Sequence, residues 1–156
     1  MAVSHPPSPI RILLANHQPI VRTGLRLLLE REPDFQVVAE AANGQEAIIL
    51  IDFKRPDIAL LEIDLPHMNG IAVAKEMLSK GRTSKPLFVT AHIDAGYVME
   101  ALKAGACGYV AADSAPADLA RAIRIVARGG FVLSPGICAQ LSEGDVNAAC
   151  LHRSFW

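Results

Sequence analysis

Four short stretches hold most of the side chains that could do chemistry: Asn16-His17, Glu62 to Asn69, Thr90 to Asp94 and Ala111 to Asp113. Glu62 and Asp64 can attract a cation, yet two carboxylates make only a partial cage for Mg²⁺, which demands near-octahedral oxygen ligands. His17 and His92 bring imidazoles, which suit softer metals and titrate near neutrality beside carboxylates. Thr90 offers a hydroxyl donor. Established catalytic signatures are missing from the sequence: no GxGxxG or GxxxxGK(S/T) loop, no GxSxG elbow, no HExxH, no paired Cys-His zinc spacing. The expectation is a protein that is not an enzyme and has no catalytic residues.

Composition narrows the class further. Apolar residues make up 51% and charged residues 20% of 156 residues, enough to bury one ordinary core. The net charge of −1 gives no basic field, so direct nucleic-acid binding by this chain is not expected. No apolar run reaches the roughly 18–20 residues that span a bilayer, so no membrane segment is expected. Cys107, Cys138 and Cys150 are odd in number and far apart, which fits reduced cytoplasmic thiols better than a secreted disulfide framework.

The elements that must position those stretches are short and regular. IRILLA (Ile10 to Ala15), FQVVAEA (Phe35 to Ala41), DIALLE (Asp57 to Glu62), PLFVTA (Pro86 to Ala91) and ACGYVA (Cys107 to Ala112) read as five strands. Between them run helical patterns: Ile20, Leu25, Leu28 and Leu29; Ala47, Ile48 and Ile51; Ile71, Ala74 and Leu78; Val98, Ala101 and Leu102. Pro116 opens a last helix bearing Leu119, Ile123 and Val126, closed by Gly129-Gly130. Asn43-Gly44 reads as turn chemistry. Five βα units imply right-handed crossovers and a doubly wound α/β fold, a five-stranded parallel sheet in the flavodoxin-like order 2-1-3-4-5. Function in such sheets gathers at the carboxyl ends of the strands, near the switch point between strands 1 and 3. That rule selects the four stretches named above.

Residues from about Ile10 to Leu141 resemble a response-regulator receiver domain of the NarL/FixJ type. The resemblance rests on IRILLANHQPIVRTGLRLLLE, VVAEAANGQEAI, RPDIALLEIDLPHMNGI, VTAH, ALKAGACGYV and AIRIVARGGFVLSP. It implies phosphoryl transfer to an aspartate ending strand 3, with Mg²⁺ held partly by two acidic residues after strand 1. A Thr or Ser ends strand 4 and a Lys ends strand 5. A carboxylate attacking a phosphoryl group meets like charge, which the metal, the ammonium and the hydroxyl offset.

This sequence departs from that pattern in three places. The acidic pair is Asn16-His17, the acceptor position is Glu62, and the lysine position, three residues after Tyr109, is Ala112. Thr90 and the switch aromatic Tyr109 fit the family. Mg²⁺ binding is expected to be weak or absent, leaving Glu62 and Asp64 as weak metal candidates and no cofactor. The expected function is a degenerate receiver in signal transduction and transcriptional control, acting through protein contacts without aspartyl phosphorylation. Within it, Glu62 either mimics the phosphorylated state by reaching the Thr90 hydroxyl, or sits in a decayed pocket. Two alternatives stay open: a phospho-accepting receiver using Glu62 or Asp64, and a ligand, metal or pH sensor in which His17 and His92 approach Glu62.

The implied partners are proteins, a histidine kinase among them, or a second copy. Self-pairing would use the first and fifth helices, which carry Arg22, Arg26, Arg121 and Arg124, or the fourth and fifth. Residues 1–9 read as a disordered lead-in, 10–141 as the receiver-like domain, and 142–156 as a tail too short for the helix-turn-helix domain that commonly follows such receivers. The expectation is a stand-alone receiver or a piece of a longer regulator.

Overall fold

The computed structural model describes residues 8–145, so the expected tail beyond 145 and most of the lead-in lie outside the described residues. Strands and helices alternate: β1 (Ile10–Ala15), α1 (Pro19–Glu30), β2 (Phe35–Ala41), α2 (Gly44–Lys54), β3 (Ile58–Leu61), α3 (Gly70–Ser79), β4 (Lys85–Thr90), α4 (Ala95–Lys103), β5 (Gly108–Ala111) and α5 (Pro116–Ala127). A short β6 (Val132–Leu133) and a single turn α6 (Pro135–Cys138) follow. The strands are all parallel, in the order β2-β1-β3-β4-β5-β6.

The expected five-strand order is present, but the sheet has six strands. β6 pairs Val132 with Gly108 and Leu133 with Tyr109. Two residues are too few to show a period of alternation, so the sequence pattern gave no strand signal there. Gly129, at φ +90°, makes the turn out of α5 that brings this segment back to the sheet edge.

Alternation along the central strands splits the core into two layers. Leu13, Ala15, Ala59 and Leu61 face α2, α3 and α4, with Phe88 and Tyr109 in the same cluster. Ile12, Leu14, Ile58 and Leu60 face the other way, against Leu119, Ile123 and Val126 of α5. Strands buried on both faces explain why they read as continuous apolar runs. Two expected core residues do not belong to it: Ile20 is 89% exposed and Leu78 is 61% exposed. Ile20 sits five residues before Leu25, about 140° away around a helix. On α3, Met77 takes the inward position instead, 1% exposed.

All four arginines expected on a pairing face are engaged within the chain, Arg121 with Asp118 at 3.6 Å on its own helix. Arg22 and Arg26 pair with Glu40 at 3.4 and 2.7 Å. Arg124 holds Asp34 and Glu32 at 2.8 and 2.9 Å and lies over the Phe35 ring. Among the described residues, no helix is long and apolar enough to cross a membrane.

Candidate functional site

Glu62 follows the last residue of β3, where its N–H donates to the Ala15 carbonyl at 3.1 Å. The chain then runs through a loop to Gly70, whose N–H returns to the Ile63 carbonyl at 2.9 Å. Two close approaches shape that loop. A Cβ on Gly70 would lie 2.2 Å from the Glu62 carbonyl oxygen, and one on Gly44 would lie 1.8 Å from the Met68 carbonyl oxygen. Gly70 is needed for contact with the Glu62 backbone and Gly44 for contact with the Met68 backbone further along the loop, neither for positive φ. Asn43 and Asn69 cap α2 and α3, accepting from Glu46 and Ala72 at 2.8 Å each. The Asn43-Gly44 pair is therefore a helix start packed on the loop, more specific than the turn expected from sequence.

The other strand ends converge on the same place. Asn16, 7% exposed after β1, spends its side chain on a local turn, Oδ1 accepting from the Gln18 N–H at 2.9 Å. Its carbonyl accepts from Arg22 at 2.7 Å. His17 is exposed. Thr90, fully buried at the end of β4, donates from Oγ1 to Glu62 Oε1 at 3.2 Å and accepts from the His92 N–H at 3.2 Å. Ala112 follows β5, and its N–H donates to the Thr90 carbonyl at 2.8 Å. A cleft of about 380 Å³ is lined by Asn16, His17, Glu62, Asp64 and Ala112 among others.

His92 is the node of this arrangement. Its Nε2 lies 2.7 Å from Asp64 Oδ2, and its ring packs on that of Tyr97 with centroids 4.5 Å apart. Its carbonyl oxygen accepts from the Tyr109 hydroxyl. Tyr109 is wholly buried and stacked on Phe88. Of the two histidines expected near Glu62, His92 joins the carboxylates; His17 shares the cleft wall but not the cluster of Glu62, Asp64 and His92.

Electrostatics follow from this packing. Burial pushes the half-buried Glu62 carboxyl above its ordinary range, and the Asp64 charge adds to the effect, while the Thr90 hydrogen bond opposes it. Burial, then the nearby carboxylates of Asp94 and Glu62, pushes the Tyr109 phenol up, so it stays a hydrogen-bond donor. Among the described residues, no Lys or Arg forms an ion pair with Glu62 or Asp64; His92 is the salt-bridge partner of Asp64.

A family model, the response regulator receiver domain, matches residues 12–124. The chain belongs to the response regulator receiver family. This receiver is 36% identical over 149 residues to the nitrate/nitrite response regulator protein NarL of Escherichia coli K12, covering 89% of the chain and 69% of that protein. It is 38% identical over 132 residues to YxjL, an uncharacterized transcriptional regulatory protein of Bacillus subtilis 168, covering 85% of the chain and 61% of that protein. It therefore spans between about half and two thirds of the first of these curated relatives, the DegU protein of Brevibacillus brevis being covered to 56%. Among solved structures, a LuxR-family two-component response regulator from Aurantimonas sp. SI85-9A1 superposes with a TM-score of 0.84 at 37% identity, covering 89% of this chain and 99% of that one. The flavodoxin-like fold and the two-component response-regulator class both follow.

The structure brings Glu62, Asp64, Thr90 and Ala112 together at the carboxyl end of the sheet, while Tyr109 lies within β5 and reaches that end through its hydroxyl. Sequence reasoning missed Ser134, whose buried hydroxyl accepts from the Ala111 N–H at 3.0 Å and fixes the end of β5 from the sixth strand's side. A lone Ser before Pro135 carries no pattern that would have marked it. Asn69-Gly70 was the readable signal for the loop closure.

Proposed function

We propose that this receiver signals by protein contact without aspartyl phosphorylation, with Glu62 standing where the family keeps its acceptor aspartate. The observation that carries the reading is the Thr90–Glu62 hydrogen bond at 3.2 Å, made while Tyr109 is buried and bonded to His92. The threonine hydroxyl, which in the family meets a phosphoryl oxygen, already has a carboxylate partner. Asn16 and His17 supply no carboxylate for Mg²⁺, and Ala112 supplies no ammonium to meet an incoming phosphoryl group. Glu62 is also one methylene longer than aspartate, and a shift of about 1 Å in an attacking atom costs on the order of 100-fold. The partner is a protein or a second copy, met through the face around α4 and β5. Ile93 and Tyr97 stand partly exposed beside His92 there. Transcriptional control is the natural setting, since NarL-type and YxjL-type relatives are transcriptional or response regulators.

Incubation with acetyl phosphate and Mg²⁺, followed by intact mass, tests this. The expected spectrum has no phosphate adduct. A stable adduct that disappears in Glu62→Gln or Asp64→Asn would replace this reading with a working phospho-receiver.

A further inference from the structure

Glu62, Asp64 and His92 each present one ligand atom, and the three atoms lie within 4.8 Å of one another. We propose that this trio binds a borderline divalent transition-metal ion of the Zn²⁺ class, at the spot where the family's chemistry uses Mg²⁺. The donor set decides the class. An imidazole nitrogen with two carboxylate oxygens suits Zn²⁺ and its neighbours, whereas Mg²⁺ prefers oxygen alone. Neither of the two residues after β1 is acidic, so a hard-ion cage cannot close from that side.

The electrostatic setting points the same way. The Glu62 and Asp64 carboxylates repel one another, and among the described residues neither has a Lys or Arg partner. Where the family has a lysine, Ala112 leaves the cleft wall without a cation. A bound ion would supply the missing positive charge between the two carboxylates.

Geometry allows it with small movements. Three protein ligands plus water is a common zinc arrangement, with metal–ligand distances of about 2.0–2.1 Å and so ligand–ligand separations of roughly 3.4 Å. His92 and Asp64 are already 2.7 Å apart and must open slightly to admit an ion between them, while the flexible Glu62 arm closes the remaining gap. The cleft of about 380 Å³ leaves room for the completing waters and an entry path. His92 is well placed for this role because its ring is braced by Tyr97 and its main chain is tied to Thr90 and Tyr109. An ion held by the His92 side chain therefore fixes the backbone that clamps Tyr109. The site stands independently of whether Glu62 mimics a phosphoryl group.

The test is titration of the full chain with Zn²⁺ by calorimetry and with Co²⁺ by visible absorption, each with and without millimolar Mg²⁺. One equivalent should bind, unaffected by Mg²⁺. Affinity should fall on the order of 10- to 100-fold in His92→Ala and in Asp64→Asn. It should not change in His67→Ala, which alters an exposed loop histidine outside the cluster. Circular dichroism of each variant confirms folding, and because His92 and Asp64 are not core residues, at least one variant remains informative. No uptake by the wild-type chain, uptake undiminished in both variants, or displacement by Mg²⁺ would each overturn the proposal.

Discussion

The hydroxyl of Tyr109 donates to the main-chain oxygen of His92, joining the buried ring of β5 to the loop that leaves β4. The His92 N–H in turn donates to Thr90 Oγ1, which donates to Glu62. Side-chain position at the end of β3 is thus connected to the ring position in β5 through a single loop. Tyr109→Phe keeps the stack on Phe88 but leaves the His92 carbonyl without this donor. The expected cost is about 1 kcal/mol, read by urea unfolding. Amide shifts in NMR spectra should extend from residue 109 to His92 and Thr90. Shifts confined to the immediate neighbours of residue 109 would show that the loop does not transmit the change.

Glu62 gives a pH dependence of known sign. Its carboxyl titrates above the ordinary glutamate range in the folded chain because burial disfavours the charge. A carboxyl raised on folding favours the folded state below its unfolded value, and that contribution is lost as pH rises through the folded value. Ionised Glu62 therefore costs stability at neutral pH. Glu62→Gln, whose amide oxygen can still accept from Thr90, should raise Tm at pH 7 in the presence of EDTA, and the gain should vanish near pH 4. A glutamine variant less stable than wild type at pH 7 would mean that the Thr90–Glu62 bond outweighs the burial cost.

Much of this is legible in the amino-acid sequence. Five strand-like runs, each followed by a helical pattern, imply a parallel sheet with crossovers of one hand, for which 2-1-3-4-5 is the economical order. Glu62, Thr90 and Ala112 could be placed by strand end alone, and Tyr109 by the family resemblance. The hidden parts have local causes. β6 spans two residues and has no period. Ile20 reads as apolar but lies off the inward stripe of α1. The roles of Gly44 and Gly70 depend on how closely the loop's carbonyls approach, a distance that sequence does not encode. The engagement of Arg124 with Asp34 and Glu32 joins residues about ninety positions apart, beyond any local pattern.

Gly70 is the packing constraint that bears on Glu62 itself. An added methyl would meet the Glu62 carbonyl oxygen at 2.2 Å and the Phe88 ring at 3.0 Å. The backbone φ at Gly70 does not require glycine, so the penalty is purely steric. Gly70→Ala should destabilise by about 1–3 kcal/mol and move the loop that carries Asp64. Thermal unfolding measures the first effect and the His92 imidazole NMR signal the second. A variant as stable as wild type would show that α3 can slide away from β3 at little cost.

Arg124 carries the last test, beside the turn that precedes β2. Its Nε and Nη2 donate to the two Asp34 oxygens at 2.8 Å each, Nη2 also reaches Glu32 at 2.9 Å, and the guanidinium lies 4.8 Å from the Phe35 ring centroid. This fork ties α5 to the turn before β2. Its hydrogen bonds hold the Asp34 carboxyl below its usual range, and the carboxylates push the Arg124 pKa up. Arg124→Ala should cost roughly 1–2 kcal/mol at pH 7, discounted because the side chains are about one third exposed. A carboxyl lowered on folding contributes stability above its unfolded value, and that contribution is lost as pH falls through the folded value. The gap between wild type and variant should therefore narrow below about pH 4, leaving the part due to stacking on Phe35. Arg124→Lys keeps the charge but not the fork, and should recover less than half of the loss. A gap between wild type and Arg124→Ala that stays constant from pH 7 to pH 3 would assign the arginine's contribution to packing alone.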